Sequence, residues 1–242
     1  MDIASFTIYG ERCTGTNFVR KLMFDNFKLV NVNLTADASG WKHFFGLPKN
    51  RDAIKNSADC VILSIVRNPI DYLMSFYNNP HHQPKERLKD FITFLTSKFY
   101  SVDPNGKEMM VDRNMNNTRV RYKDIFEMRS IKNRFLYLTI PTLTPNCYFM
   151  RYEDLKNNPK KIIGEIETKF NLVRLSSELV VEPKRVMPQG EAWFQFVLSN
   201  DPLKENYVIK ESQAKDIIKN RLNFETEELI GYDKNTIIRR LV

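Results

Sequence analysis

An α/β fold, in which helices flank both faces of a parallel β-sheet, is predicted by three features of this sequence. Short apolar runs at 5–9, 60–66 and 147–151 alternate with segments whose apolar residues recur at helical spacing. The run at 60–66 is mostly apolar and rich in Val and Ile, the pattern of a strand buried on both faces. The first run leads into Gly10-Glu11-Arg12-Cys13-Thr14-Gly15-Thr16-Asn17, a glycine-bracketed turn that opens a helix. Such alternation argues for parallel strands with ligands at their carboxyl ends.

The elements follow in order. Residues 5–9 read as a strand, and Phe18, Val19, Leu22, Met23 and Phe27 make 16–27 an amphipathic helix. Residues 28–34 and 40–45 read as two further strands, the second carrying Trp41-Lys42-His43. After the buried strand, Asn68 is a capping residue, Pro69 takes the first helical position and Asp71 lies three residues past the cap, which predicts a helix over 69–77. Residues 78–84 read as loop and 88–100 as helix. The polar, aperiodic stretch 102–118 is expected to be a flexible excursion over a site. Helices are expected over 122–135 and 158–170, with the strand 147–151 between them. With ordinary globular composition, no repeat and 242 residues, one domain over 1–242 is the expectation.

Thirty-seven Lys and Arg against 29 Asp and Glu leave a net charge of +8, which suits an anionic ligand. The basic residues are dispersed and form no tail, so nucleic acid is not the expected partner. Cys13, Cys60 and Cys147 are far apart and fit neither a disulfide framework nor a zinc pattern; His81-His82 lacks residues to complete a ligand set, and no metal is expected. The start of the chain lacks a basic region followed by an apolar stretch, and no run is long enough to span a membrane, so the expectation is a soluble, cytoplasmic protein.

The glycines of the 10–17 turn have phosphate-loop spacing, which lets successive amides and a helix N-terminus face one anion. Thr16 stands where a nucleoside-triphosphate loop has lysine, which argues against an ordinary ATPase or kinase. A plain strand-to-helix turn is the alternative. Arg67 and Ser75, eight residues apart at the next helix start, are a second candidate phosphate site. The alternative there is that Arg67 pairs with Asp71 and Ser75 only packs.

Together these segments resemble the sulfotransferase family that uses 3′-phosphoadenosine-5′-phosphosulfate (PAPS). Thr14-Gly15-Thr16-Asn17-Phe18 resembles its 5′-phosphosulfate loop, Arg67-Asn68-Pro69 with Ser75 its 3′-phosphate segment, and Lys42-His43 its base segment. Arg151-Tyr152-Glu153-Asp154-Leu155 with Pro159 resembles its Tyr-Glu-Asp-Leu signature. The likeness runs over roughly 5–170 and implies a P-loop-like sulfotransferase architecture, with 78–120 a variable acceptor-side excursion. It implies that Thr14, Gly15, Thr16 and Asn17 hold the 5′-phosphosulfate, that Phe18 stacks on adenine, and that Arg67 and Ser75 bind the 3′-phosphate. His43 would be the catalytic base, with Lys42 stabilising the leaving charge. PAPS is then the co-substrate, 3′-phosphoadenosine-5′-phosphate (PAP) the product, and a small molecule, sugar or peptide the acceptor.

Two departures stand out. Cys13 occupies the place where the family usually has Lys or Arg, and Arg12, one residue earlier, is the candidate replacement. Near the C-terminal end, Lys184-Arg185 and Gly190-Glu191-Ala192-Trp193 only loosely match the family's nucleotide-closing loop, which nominates Arg185. An inert nucleotide binder and an atypical kinase, with Asp154 as its strand-end acid, are the competing functions.

Overall fold

The structure is a computed structural model that describes residues 2–32, 34, 42–181 and 206–242. Among the described residues four strands, β1 (Ser5–Tyr9), β2 (Val30–Asn31), β3 (Cys60–Val66) and β4 (Cys147–Arg151), form one sheet in the order β2-β1-β3-β4. All three pairings are parallel, with Ser5 opposite Cys60 at one end of the β1–β3 ladder and Val66 opposite Arg151 at the end of β3–β4.

Because successive strand residues face opposite ways, β3 sends Val61, Leu63 and Ile65 into one apolar core and Cys60, Ile62 and Val66 into another. The first core is closed by α1 (Thr16–Asn26), α7 (Tyr152–Asn157) and α8 (Pro159–Phe170), through Val19, Leu22, Met23, Leu155 and Ile163. The second is larger. It takes in α2 (Pro48–Lys55), α3 (Pro69–Asn78), α4 (Phe91–Thr96), α5 (Ile125–Arg134) and α6 (Ile140–Leu143). Helices α9 (Ser212–Arg221), α10 (Phe224–Leu229) and α11 (Lys234–Arg239) pack on the same side. The parallel α/β fold with helices on both faces is as the sequence predicts.

Several boundaries differ. The expected strand over 28–34 pairs only at Val30–Asn31. The expected strand over 40–45 is a turn over its described residues, 42–45. Strand β1 is already flanked by β2 and β3, so no ladder position is left beside it. The chain instead crosses the carboxyl end of β1, where the Gly10 amide donates to Lys42 O (3.4 Å).

The expected helix over 88–100 shortens to α4, because Asp90 caps it by accepting from Thr93 N (2.6 Å) and the backbone turns extended at Ser97. The expected helix over 122–135 begins at Ile125, capped by Asp124, and continues past Arg134 as a π turn over Phe135–Thr139. The stretch 102–118, expected to be a flexible excursion, is tied into the molecule through Asp112, which is buried and accepts from Arg12 and Lys132. Among the described residues no helix is long and apolar enough to cross a membrane.

Candidate functional site

The glycine loop joins β1 to α1, and its shape is set by what the glycines touch. A Cβ on Gly10 would lie 2.7 Å from Ile65 O, and one on Gly15 would lie 2.5 Å from the Tyr152 ring. Gly15 also has φ +96°, a left-handed conformation that costs other residues strain. Gly15→Ala is therefore expected to lower stability by about 1–3 kcal/mol, read as a drop in Tm; an unchanged Tm would show that the loop can relax.

Thr14 Oγ1 donates to Glu11 O (2.6 Å) and braces the turn. Gly15 is the N-cap of α1, so no side chain caps the first-turn amides at that position. This is the arrangement in which a helix N-terminus receives an anion.

The Arg67 segment meets this loop at Cys13. Arg67 is fully buried at the end of β3; its Nη1 donates to Cys13 O (2.9 Å), and its guanidinium lies 5.2 Å from the centre of the Tyr152 ring. Cys13 has φ +60°, and its thiol proton is shared between Ser75 O (3.7 Å) of α3 and Asn79 O (3.8 Å) at that helix's C-cap. Burial raises that thiol to about 11, so it is a packing group and not a thiolate at neutral pH. The loop, Arg67 and Ser75 are thus brought together.

Asp71 does not pair with Arg67. It accepts from Arg240 Nη1 and Nη2 (2.8 and 2.6 Å) and from Tyr207 N (3.1 Å). Asn68 caps α3 by accepting from Ile70 N (3.0 Å), as its position in the sequence predicts.

Lys42 and His43 lie across the loop. Lys42 Nζ donates to Asn17 Oδ1, joining the Lys42-His43 segment to the first turn of α1. Burial, reinforced by Arg20, lowers the Lys42 amine to about 7. His43 is buried, and its Nδ1 lies 2.6 Å from Gly10 O. A carbonyl only accepts, so Nδ1 carries the proton and Nε2 the lone pair. Burial first, then the cations Lys42 and Arg12, hold His43 well below its usual value, so the ring is neutral at neutral pH.

Arg12 is committed elsewhere. Its guanidinium is buried and donates to Ser101 Oγ (2.8 Å), Asp112 Oδ2 (3.1 Å) and Glu11 Oε2 (3.4 Å). Lys132 completes the cluster, donating to Asp112 Oδ1 (2.6 Å), Glu11 Oε1 (2.5 Å) and His43 O (3.0 Å). Two cations and two carboxylates thus balance in the interior. Burial alone would raise the Asp112 carboxyl, but Lys132 and Arg12 hold it below the usual carboxylate range.

Lys132 of this cluster was not singled out from the sequence, although it falls on the same helical phase as Ile125 and Met128. Charges at core positions are the signal for buried pairing.

Phe18 is half-buried, edge-on to Tyr152 with ring centres 6.4 Å apart. Glu153 accepts from Asn68 N (2.8 Å) and from Tyr232 Oη (2.7 Å), while Arg151 forks onto Asp154 (2.7 and 2.8 Å). Arg185, with Lys184 and the 190–193 match, lies outside the described residues.

A sulfotransferase domain model matches residues 47–181. That span includes Arg67, Ser75 and Tyr152-Glu153-Asp154-Leu155, and it begins after the glycine loop and His43. No curated protein and no solved structure matches the chain. The match spans more than half of the sequence, on a parallel sheet with helices on both faces, and on that basis the chain belongs to the sulfotransferase domain family.

Proposed function

We propose that the chain transfers a sulfuryl group from PAPS to a hydroxyl or amine of a small-molecule, sugar or peptide acceptor, releasing PAP. The observation that carries this reading is the junction at Cys13. Arg67 donates to its carbonyl and its thiol donates to Ser75 O, so the two candidate phosphate segments, the glycine loop and the Arg67–Ser75 segment, meet at one residue. The uncapped α1 start and the left-handed Gly15 fit a phosphosulfate, and Arg67 with Ser75 suits the extra phosphate that distinguishes this nucleotide.

When bound, the nucleotide supplies an activated sulfuryl group and a phosphate leaving group. The chain does the rest. Loop amides and Thr16 stabilise charge that builds on the leaving oxygen, and Asn17 places Lys42 beside them. His43, held as the Nδ1–H tautomer by Gly10 O, takes the acceptor's proton at Nε2. Phe18 is the adenine-facing ring, and Arg185 remains a candidate for closing over the nucleotide. We assign Arg12 to a different task from replacing the loop cation: it holds Ser101 and Asp112 of the acceptor-side excursion against the loop.

Lys42 makes the binding pH-dependent. Its amine is protonated below about 7 and neutral above it in the free protein. PAP affinity is therefore expected to fall, by up to about tenfold per pH unit, as pH rises above that value. Calorimetry across the neutral to mildly alkaline range should show this slope, and Lys42→Met should remove it.

One observation favours a second reading. With Cys13 in the usual cation position and Arg12 held by Asp112 and Ser101, the chain has the form of a nucleotide binder with little turnover. A kinase is disfavoured because Asp154 is forked by Arg151. The deciding experiment incubates the protein with PAPS and a panel of phenols, sugars and tyrosine peptides, then repeats it with ATP and Mg²⁺. Sulfated product with PAPS supports transfer; PAP binding without product supports the inert binder, and phosphorylated product with ATP overturns both.

A further inference from the structure

Three polar links run from the 206–242 helical segment to the short stretch that holds Arg67, and they come from three different places. Arg240, just after α11, donates from Nη1 to Asn68 Oδ1 (3.0 Å) and forks onto Asp71, while its Nη2 also reaches Tyr207 O (3.2 Å). Tyr232 Oη donates to Glu153, whose other oxygen accepts from Asn68 N (2.8 Å). Glu227 of α10 forks with Arg129 (2.7 and 2.8 Å), and Arg129 Nη2 in turn donates to Arg67 O (2.8 Å). Backbone or side chain of Arg67, Asn68 and Asp71 is therefore fixed from three directions.

We propose that this segment is a clamp that sets selectivity for a 3′-phosphorylated nucleotide, with Arg240 as its principal positioning residue. The inference rests on the proposed role of Arg67 and Ser75. A guanidinium that grips a phosphate with two parallel hydrogen bonds tolerates little displacement. The backbone on which Arg67 sits leads from the end of β3 into the start of α3, and Asp71 lies buried in that helix's first turn.

Arg240 does two things there. It ties the first turn of α3 to α11 through a forked pair, which fixes position. It also cancels the Asp71 carboxylate, which would otherwise repel an anion arriving at the same helix end. Both effects act on the 3′-phosphate and spare the 5′ end of the nucleotide, which the glycine loop holds. The Arg240 side chain is 22% exposed, whereas its partner Asp71 is buried.

The test compares PAP with adenosine 5′-phosphosulfate, which lacks the 3′-phosphate, by calorimetry on wild type, Arg240→Ala, Arg240→Lys and Arg67→Ala. Arg240→Ala should weaken PAP about tenfold, the scale of losing a charge-assisted hydrogen-bonded contact, and leave adenosine 5′-phosphosulfate unchanged; Arg240→Lys should recover part of the loss. Equal weakening of both nucleotides, or no change in either, overturns the clamp. If Arg67→Ala leaves PAP affinity unchanged, the 3′-phosphate reading itself fails and takes the clamp with it. Should Arg240→Ala not fold, Tyr232→Phe, which removes one hydroxyl from the second link, should show the same selective loss at smaller size; an equal effect on both nucleotides counts against the clamp.

Discussion

Replacing His43 with alanine is expected to lower kcat for sulfuryl transfer by about 10²–10⁴-fold while leaving PAP affinity unchanged. The split follows from where the ring sits. Its Nδ1 proton is spent on Gly10 O, and the segment that carries it is held to the loop through Lys42 and Asn17 and to the core through Lys132. Removing the imidazole deletes a proton acceptor and keeps the backbone that shapes the anion site. Burial and the neighbouring cations keep His43 neutral to well below its ordinary value, so the acid limb of a kcat/KM profile should also lie below that value. A His43→Ala protein with undiminished kcat would remove His43 from the chemistry.

Arg67→Ala is expected to cost PAP binding about 2–5 kcal/mol, the range for truncating one side of a buried, hydrogen-bonded charge contact. Two losses combine. One is the proposed contact to the 3′-phosphate; the other is the bond to Cys13 O and the packing on Tyr152 that hold the loop against the start of α3. Arg67→Lys should recover little, because an ammonium lacks the planar fork that serves a carbonyl and a phosphate together. Calorimetry on folded variants, checked by Tm, reads this directly, and unchanged affinity would contradict the assignment.

Local signals made much of this legible in the sequence. The apolar runs at 5–9, 60–66 and 147–151 are β1, β3 and β4; β1 and β3 are buried along their length, while β4, at the sheet edge, is mostly half-buried. Asn68, Pro69 and Asp71 gave away α3, since capping acts over three residues. The glycine loop was readable because its residues are contiguous.

What the sequence hid depends on partners far apart in the chain. No spacing rule links Asp71 to Arg240, Glu11 to Lys132, or Glu153 to Tyr232; only the fold brings them together. The turn at 42–45 was misread as strand because Phe44 and Phe45 are apolar. They are buried under the crossing of β1, where there is no neighbouring strand to pair with. Position in the loop nominates Arg12 as a replacement cation, but no spacing rule reveals its ion pair with Asp112, 100 residues away.

The most direct test of the central claim is a calorimetric titration of the protein, in EDTA, with PAP and with the corresponding nucleotide that lacks the 3′-phosphate. Micromolar-range binding of PAP, strongly weakened when the 3′-phosphate is absent, is the result expected from a glycine loop and an Arg67–Ser75 segment that converge on Cys13. Equal binding of the two nucleotides, or binding of neither, would contradict it.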